Sequence, residues 1–283
     1  MAIELASKFA PYVDEQFKQE SKTSVIATAP FDFAGANVVN VYTVTTAPMN
    51  DYNRTGEVGE NMISRYGSPD NLTASTVPYQ LKRDRSFTFT IDKLDQDETV
   101  NQLEAGSALA RQVREVVIPE VDSYTIGKIA ENAGIKAEAF GSAEDGKTFY
   151  ELLSTATAAL DDAEVPESDR VLIVSPTMYQ TMKLCDQIVM ETETGNDMRL
   201  KGVIAHVDGA AVIKVPASRL PEGFGFLLFH PSAVAAPKKL EDYRTHINPP
   251  GISGMLVEGR IVYDAFVIHN KAKGVYYQPV TTE

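Results

Sequence analysis

Hydrophobic and polar positions change their period several times along the chain, and each change predicts an element. Residues 1–36 read as a mostly polar arm with a short amphipathic turn near Ala10–Phe17, after which Gly35 leads into an apolar strand, Val38–Val44. From there to Asp92 the chain carries turn formers and charges, with Gly56, Gly59, Gly67, Pro69 and Pro78 as punctuation, and too few apolar positions for a core of its own. It closes on Ser86–Asp92, where Phe87, Phe89 and Ile91 alternate with hydroxyl residues, so the returning leg is predicted as a half-buried strand. A reaching hairpin of this kind needs a partner surface, and copies of the same chain are the expected partner.

A helical period follows. Asp95, Asp97 and Glu98 stand where negative charge favours a helix N-terminus, and Thr99 with Gln102 fits a capping box. Leu103, Leu109, Val113, Val116, Val117, Val121, Tyr124 and Ile129 recur mostly at three- and four-residue steps, predicting a helix over Thr99–Ala133 that would run about 50 Å. Pro119 imposes a kink or a restart within it, and Gly134 stops it. A second unit opens near Gly146 with an apolar stripe, Phe149, Leu152, Leu153, Ala156, Ala159, Leu160 and Ala163, bounded by Pro166. Val171–Val174 reads as a buried strand, and Ser175-Pro176 opens a helix through Leu184. Val203–Val207 and Ala210–Val215 flank Asp208-Gly209, the pair favoured in a type I′ hairpin turn because both positions need positive φ. Gly225–Phe229 adds a strand, Val257–Ile268 reads as one long strand, and His269–Gly274 turns the chain into Val275–Gln278. That last segment lacks a local helix and is expected to pack on the long one.

Charge and chemistry narrow the function. Lys plus Arg number 26 against 39 Asp plus Glu, a net charge of −13, which argues against a protein that grips nucleic-acid phosphates but suits a wall that faces DNA without holding it. A lone Cys185 allows no intramolecular disulfide, so a reducing cytosol is the expected setting. No run reaches the roughly 18 apolar residues of a membrane span, and no membrane partner is expected. The chain has no Walker A loop, no Gly-x-Gly-x-x-Gly, no His-Glu-x-x-His and no paired Cys motif. The acidic run from Asp92 to Glu98 lacks the Gly and the terminal Glu of a calcium loop, and helix-entry charge accounts for it better. Cys185 with His206 near Asp208 offers a superficial nucleophile pair, but His206 falls inside a hairpin strand. His230, His246 and His269 have no metal-ligand spacing. No catalytic residue, metal ligand or cofactor is nominated, and the chain is read as not an enzyme.

Several stretches carry a resemblance. Tyr12–Phe17 with Ser21, Asn50–Arg54, Arg65–Gly67, Asp84–Asp92, Glu115–Asp122 and Val212–Pro216 resemble, in order and over nearly the whole chain, the major capsid proteins of tailed bacteriophages and their prophages. The resemblance implies an α+β, Hong Kong 97-like capsid fold. Its parts would be an N-terminal arm with the first strand at 1–46, an extended hairpin or E-loop at 47–92, a spine helix of the P-domain at 93–144, an A-domain at 145–240 and P-domain return strands at 241–283. It also implies hexamers and pentamers of the chain itself, closing into an icosahedral head around double-stranded DNA bound without sequence specificity, assembled in the bacterial host cytoplasm. The arm begins too near residue 1 to carry a scaffolding extension, so a separate scaffolding protein is expected rather than removal of such a segment; portal and decoration proteins would be further partners. Two other classes stay open at this level: an encapsulin-type nanocompartment with the same fold, and an enzyme of unknown reaction.

Charge placement suggests how copies meet. Lys82, Arg83 and Arg85 cluster on the returning leg, with Arg54 and Arg65 nearer the tip, whereas Asp95, Asp97 and Glu98 mark the helix entry. The basic set is expected to dock on the acidic helix entry of an adjacent subunit, with solvated surface charge as the alternative.

Overall fold

The computed structural model describes residues 21, 23, 38–54, 65–66, 71–94, 105–141, 146–185 and 203–281, and the chain divides into two compact units. The smaller, Gly35–Gln80, is an antiparallel ribbon of β1 (Val38–Val44) and β2 (Ala74–Gln80), with Val41 opposite Val77. The strand that returns to Val38–Val44 is therefore Ala74–Gln80. The alternating segment taken from sequence as the returning leg forms β3 (Arg83–Asp92), which belongs to the larger unit.

In the larger unit a single helical rod carries the sheets. It consists of α1 (Ala105–Gln112), a π-turn (Val113–Val117) and α2 (Ile118–Glu131), together about 40 Å at 1.5 Å per residue. The π-turn has a cause in the sequence. Pro119 offers no N–H and its ring would press on the carbonyl four residues earlier, and the helix accommodates it by widening the turn just before it. The Ile118 N–H accordingly bonds Val113 O, five residues back, and the proline sits in the first turn of α2.

Two layers of packing follow from period-2 alternation. A six-stranded mixed sheet has the order β4 (Ile135–Lys136), β13 (Val275–Pro279), β8 (Phe224–Phe229), β5 (Val171–Val174), β7 (Ala210–Lys214) and β6 (Val203–Val207). Leu172 and Val174 of β5 face Phe149, Leu153, Ala156 and Leu160 of α3 (Gly146–Asp162) and Met178 and Met182 of α4 (Pro176–Leu184). Val171 and Ile173 face Ile126, Ile129 and Ala130 of α2. A strand buried on both faces reads as a continuous apolar run, which is why Val171–Val174 shows no alternation in sequence. Asp208 (φ 50°) and Gly209 (φ 75°) form the expected type I′ turn between β6 and β7. Ser175 caps α4, its Oγ accepting the Met178 N–H.

The C-terminal region departs from expectation. β10 (Lys238–Ile247), β11 (Gly254–Tyr263) and β3 form a three-stranded antiparallel sheet against the rod, and the charged run of β10 was not read as a strand from sequence. The single long strand expected over Val257–Ile268 ends at Tyr263 and resumes as β12 (Phe266–Val267), which pairs with β9 (Val234–Ala235). Asp264 causes the break: its own carboxylate accepts the Ala265 N–H at 2.8 Å, so the backbone turns out of the ladder there. Nor does the final segment fold back as a hairpin. β13 pairs with β8 and β4, which puts Val275 with Ile126 and Ile129 of the rod, as expected, and Tyr276 on the α3 side.

Candidate assembly surface

The ribbon unit leaves many of its large apolar side chains uncovered. Among the described residues two strands present two faces and no third layer within the unit, and Val38, Val44, Tyr52 and Leu72 are exposed, Tyr66 keeps 78% of its surface in solvent and Met49 keeps 99%. These six make up most of the large apolar side chains exposed among the described residues, which marks the ribbon rather than the larger unit as the surface wanting a partner. Beyond the strands the two legs stay joined: Thr45 N–H bonds Thr73 O at 3.0 Å, Asn53 N–H bonds Arg65 O at 3.0 Å, and Tyr52 meets Tyr66 edge to face at 5.0 Å. Arg65 thus pairs through its carbonyl with Asn53, the residue before Arg54, and both arginines stand in the ribbon unit.

Lys82, Arg83 and Arg85 stand in the larger unit, at the start of β3. Residues of odd number on β3 share the face that meets the rod, and Arg83 and Arg85 therefore turn toward α2. Arg85 forks onto Glu120, with Nε 2.7 Å from Oε1 and the second nitrogen 3.4 Å from Oε2, and this pairing raises the guanidinium's already high pKa. Arg83 lies over the Tyr124 ring, 4.6 Å from its centre. The Lys82 side chain is exposed, while its N–H bonds Asp264 Oδ2 at 2.9 Å. Two of the three basic side chains are thus engaged by their own helix. Their expected counterparts, Asp95, Asp97 and Glu98, lie outside the described residues.

Two tyrosines surround this root. Tyr263, buried, donates its hydroxyl toward Glu120, and its pKa is pushed up to about 12, first by burial and then by the Glu120 charge. Tyr124 donates to Asp264 Oδ1 at 2.9 Å and is likewise pushed up to about 12 by burial and by that hydrogen bond. Further along, Gly259 faces Phe87 on β3 and Tyr243 on β10, and a Cβ there would collide with the Phe87 ring, so glycine opens the sheet to two aromatic neighbours. The opposite face of the sheet carries two ion pairs, Asp84 with Arg260 and Asp242 with Arg244, and brings His246 Nε2 to 3.3 Å from Glu258 Oε2. Hydrogen bonding to Arg260 holds the Asp84 carboxyl below the usual carboxylate range.

Sequence reasoning missed Glu120, Asp264 and the charged strand β10. A signal for β10 existed: Asp242, Arg244 and His246 alternate with Tyr243, Thr245 and Ile247. Nothing local distinguishes a buried acid such as Asp264 from a solvated one. His206 sits in β6 beside the turn, and Cys185 packs partly buried against the α3 side of the large sheet. Among the described residues no group of three or more His, Cys, Asp or Glu is placed to hold a metal, and no helix is long and apolar enough to cross a membrane.

The family model described as phage capsid protein matches residues 74–278. Among solved structures, the chain is similar to that of Mycobacterium phage Che8, at 18% identity and TM-score 0.73 over 98% of this chain and 97% of that one. The cyanophage P-SCSP1u capsid matches at 15% identity and TM-score 0.72 over 99% and 94%. The bacteriophage PhiM1 mature capsid matches at 10% identity and TM-score 0.73 over 100% and 93%. No curated protein sequence matches the chain.

Proposed function

This chain belongs to the phage capsid protein family and is a major capsid protein of Hong Kong 97-like fold, and from that premise we propose how its copies close a shell. Hexamers and pentamers of the chain build an icosahedral head around double-stranded DNA, with 47–92, which holds most of the ribbon together with β3, as the E-loop, 93–144, which holds the rod, as the spine, 145–240 as the A-domain and 241–283 as the return strands. The observation that carries this reading is the ribbon: its exposed Val38, Val44, Met49, Tyr52, Tyr66 and Leu72 find no third layer among the described residues of their unit, and repeated contacts between copies supply one. The acidic balance keeps packaged DNA from adhering to the wall. A separate scaffolding protein guides assembly in the host cytoplasm, and portal and decoration proteins complete the head.

The basic residues contribute to subunit contact. Lys82, with the outward surfaces of Arg83 and Arg85, and Arg54 and Arg65 on the ribbon, meet the acidic helix entry at Asp95, Asp97 and Glu98 of a neighbour. Because Arg83 and Arg85 also serve their own helix, their share is smaller than three free cations would give. An encapsulin-type shell would use the same fold, and family membership favours the phage head. Electron microscopy of the purified protein tests the reading: closed particles of megadalton mass are expected, and a stable monomer at assembly-competent concentration and salt would overturn it.

A further inference from the structure

The chain leaves the six-stranded sheet through a turn capped by a histidine ring. β8 ends at Phe229, His230 follows, and a single 3-10 turn, Pro231–Ala233, carries the backbone into β9 and on toward β10 of the three-stranded sheet. His230 stands at the N-cap of that turn, and its Nδ1 accepts the Ser232 N–H at 3.1 Å. The Ser232 Oγ lies 2.8 Å from the same nitrogen. The link is seated on several elements at once. The His230 N–H bonds Gly274 O at 3.0 Å, and the Ile268 N–H bonds Ala233 O at 2.9 Å. Ala233 and Val234 are buried in one cluster with Ile126 and Ile129 of the rod.

We propose that His230 is an acid-sensitive joint: with a neutral ring it holds this turn closed through Nδ1, and with a charged ring it lets the turn open. The closed turn admits one form of the imidazole. A backbone N–H can only donate, so the Nδ1 facing Ser232 carries a lone pair and the ring's single proton sits on Nε2. A second proton therefore has to enter at Nδ1. There it meets the Ser232 N–H donor against donor, the cap is lost, and the Ser232 Oγ accepts the new N–H instead. The ring thus changes partner within one residue. Among the surroundings, burial disfavours the imidazolium most; Asp169 favours it, Lys271 and Arg170 oppose it, and a hydrogen bond with the Ser168 backbone favours it. The balance holds His230 below its ordinary value of 6.5. A lowered pKa means the folded turn prefers the neutral ring, so its contribution is complete above pH 6.5 and is lost as pH falls through the folded-state value. The joint stands on this cap geometry and holds whether or not the chain forms a shell.

Hydrogen exchange of the purified protein, read by mass spectrometry, tests the joint. Between about pH 7.5 and about pH 5, exchange in a fragment spanning residues 229–236, corrected for the intrinsic effect of pH, should rise at least about threefold. His230→Asn keeps a side-chain acceptor for the N–H two residues on and removes the titration. It should match wild type near pH 7.5 and show no such rise. Ser232→Ala removes the hydroxyl that receives the charged ring, and should enlarge the rise. An α3 fragment, residues 149–160, carries no histidine and should stay level. The proposal is overturned if wild-type 229–236 shows no rise, if His230→Asn rises as wild type does, or if Ser232→Ala leaves the rise unchanged. An equal rise in the α3 fragment would also overturn it, since the opening would then be global.

Discussion

Tyr124 and Asp264, 140 residues apart, meet through a 2.9 Å hydrogen bond, and the same carboxylate holds the Lys82 N–H two residues after the ribbon ends. Asp264 is buried, and its three donors come from the rod, from the start of β3 and from its own neighbour Ala265. One side chain thus fixes the strand break at Ala265 and the point where the chain re-enters the larger unit. Tyr124→Phe removes a single hydroxyl and keeps the ring under Arg83, and should cost about 1–3 kcal/mol, because a hydrogen bond to a charged acceptor is lost from a shielded site. Asp264→Ala, which strands two backbone donors, should cost more. Denaturant unfolding of the dissociated subunit measures both.

Alkaline pH should act through the same cluster. The folded-state pKa values of Tyr124 and Tyr263 are pushed up to about 12, above the ordinary value of 10.0. A raised pKa means the folded state holds the phenolic proton more tightly, so this contribution is complete below pH 10 and is lost as pH climbs through about 12. Stability should therefore fall steeply across that window. Combined Tyr124→Phe and Tyr263→Phe should flatten the slope, as followed by unfolding midpoints against pH; an unchanged slope would show that other groups carry it.

The hairpin turn offers a backbone test. Gly209 at φ 75° follows Asp208 at φ 50°, and a β-branched side chain resists such angles. Gly209→Val should cost about 1–3 kcal/mol. Asp208→Asn, which keeps a residue tolerant of positive φ, should leave the unfolding midpoint near wild type.

Arg219 and Asp122 should behave as a coupled pair. Removing only Arg219 leaves Asp122 buried without its cation, and Arg219→Ala should cost about 3–5 kcal/mol. Changing both, as Arg219→Met with Asp122→Leu, should cost clearly less than the sum of the single changes in a double-mutant cycle.

Charge reversal tests the proposed docking between copies. Arg83→Glu should weaken assembly, most visibly as salt is raised, and Asp97→Arg in the same chain should partly restore it. Arg83 also stacks on its own Tyr124, so the single variant needs a folding control by circular dichroism. Normal particles from folded Arg83→Glu protein would remove the pairing.

Elements set by a few neighbouring residues were legible in the sequence. The type I′ pair at Asp208-Gly209, the cap at Ser175, the disturbance at Pro119 and the apolar stripe of α3 each follow from backbone angles, a missing N–H or a helical period that three or four residues encode. The ordered resemblance pointed to the capsid family although no catalytic motif marks it, and the family model matches residues 74–278. What only the tertiary structure decided is which distant elements meet. β13 lies between β4 and β8 rather than against β12, and β3 joins β11 rather than β1, because pairing depends on which apolar faces can cover one another. The buried charges belong to the same class. Asp122, Arg219 and Asp264 look like ordinary surface residues in sequence, and partners about a hundred or more positions away let them be buried without an unpaired charge.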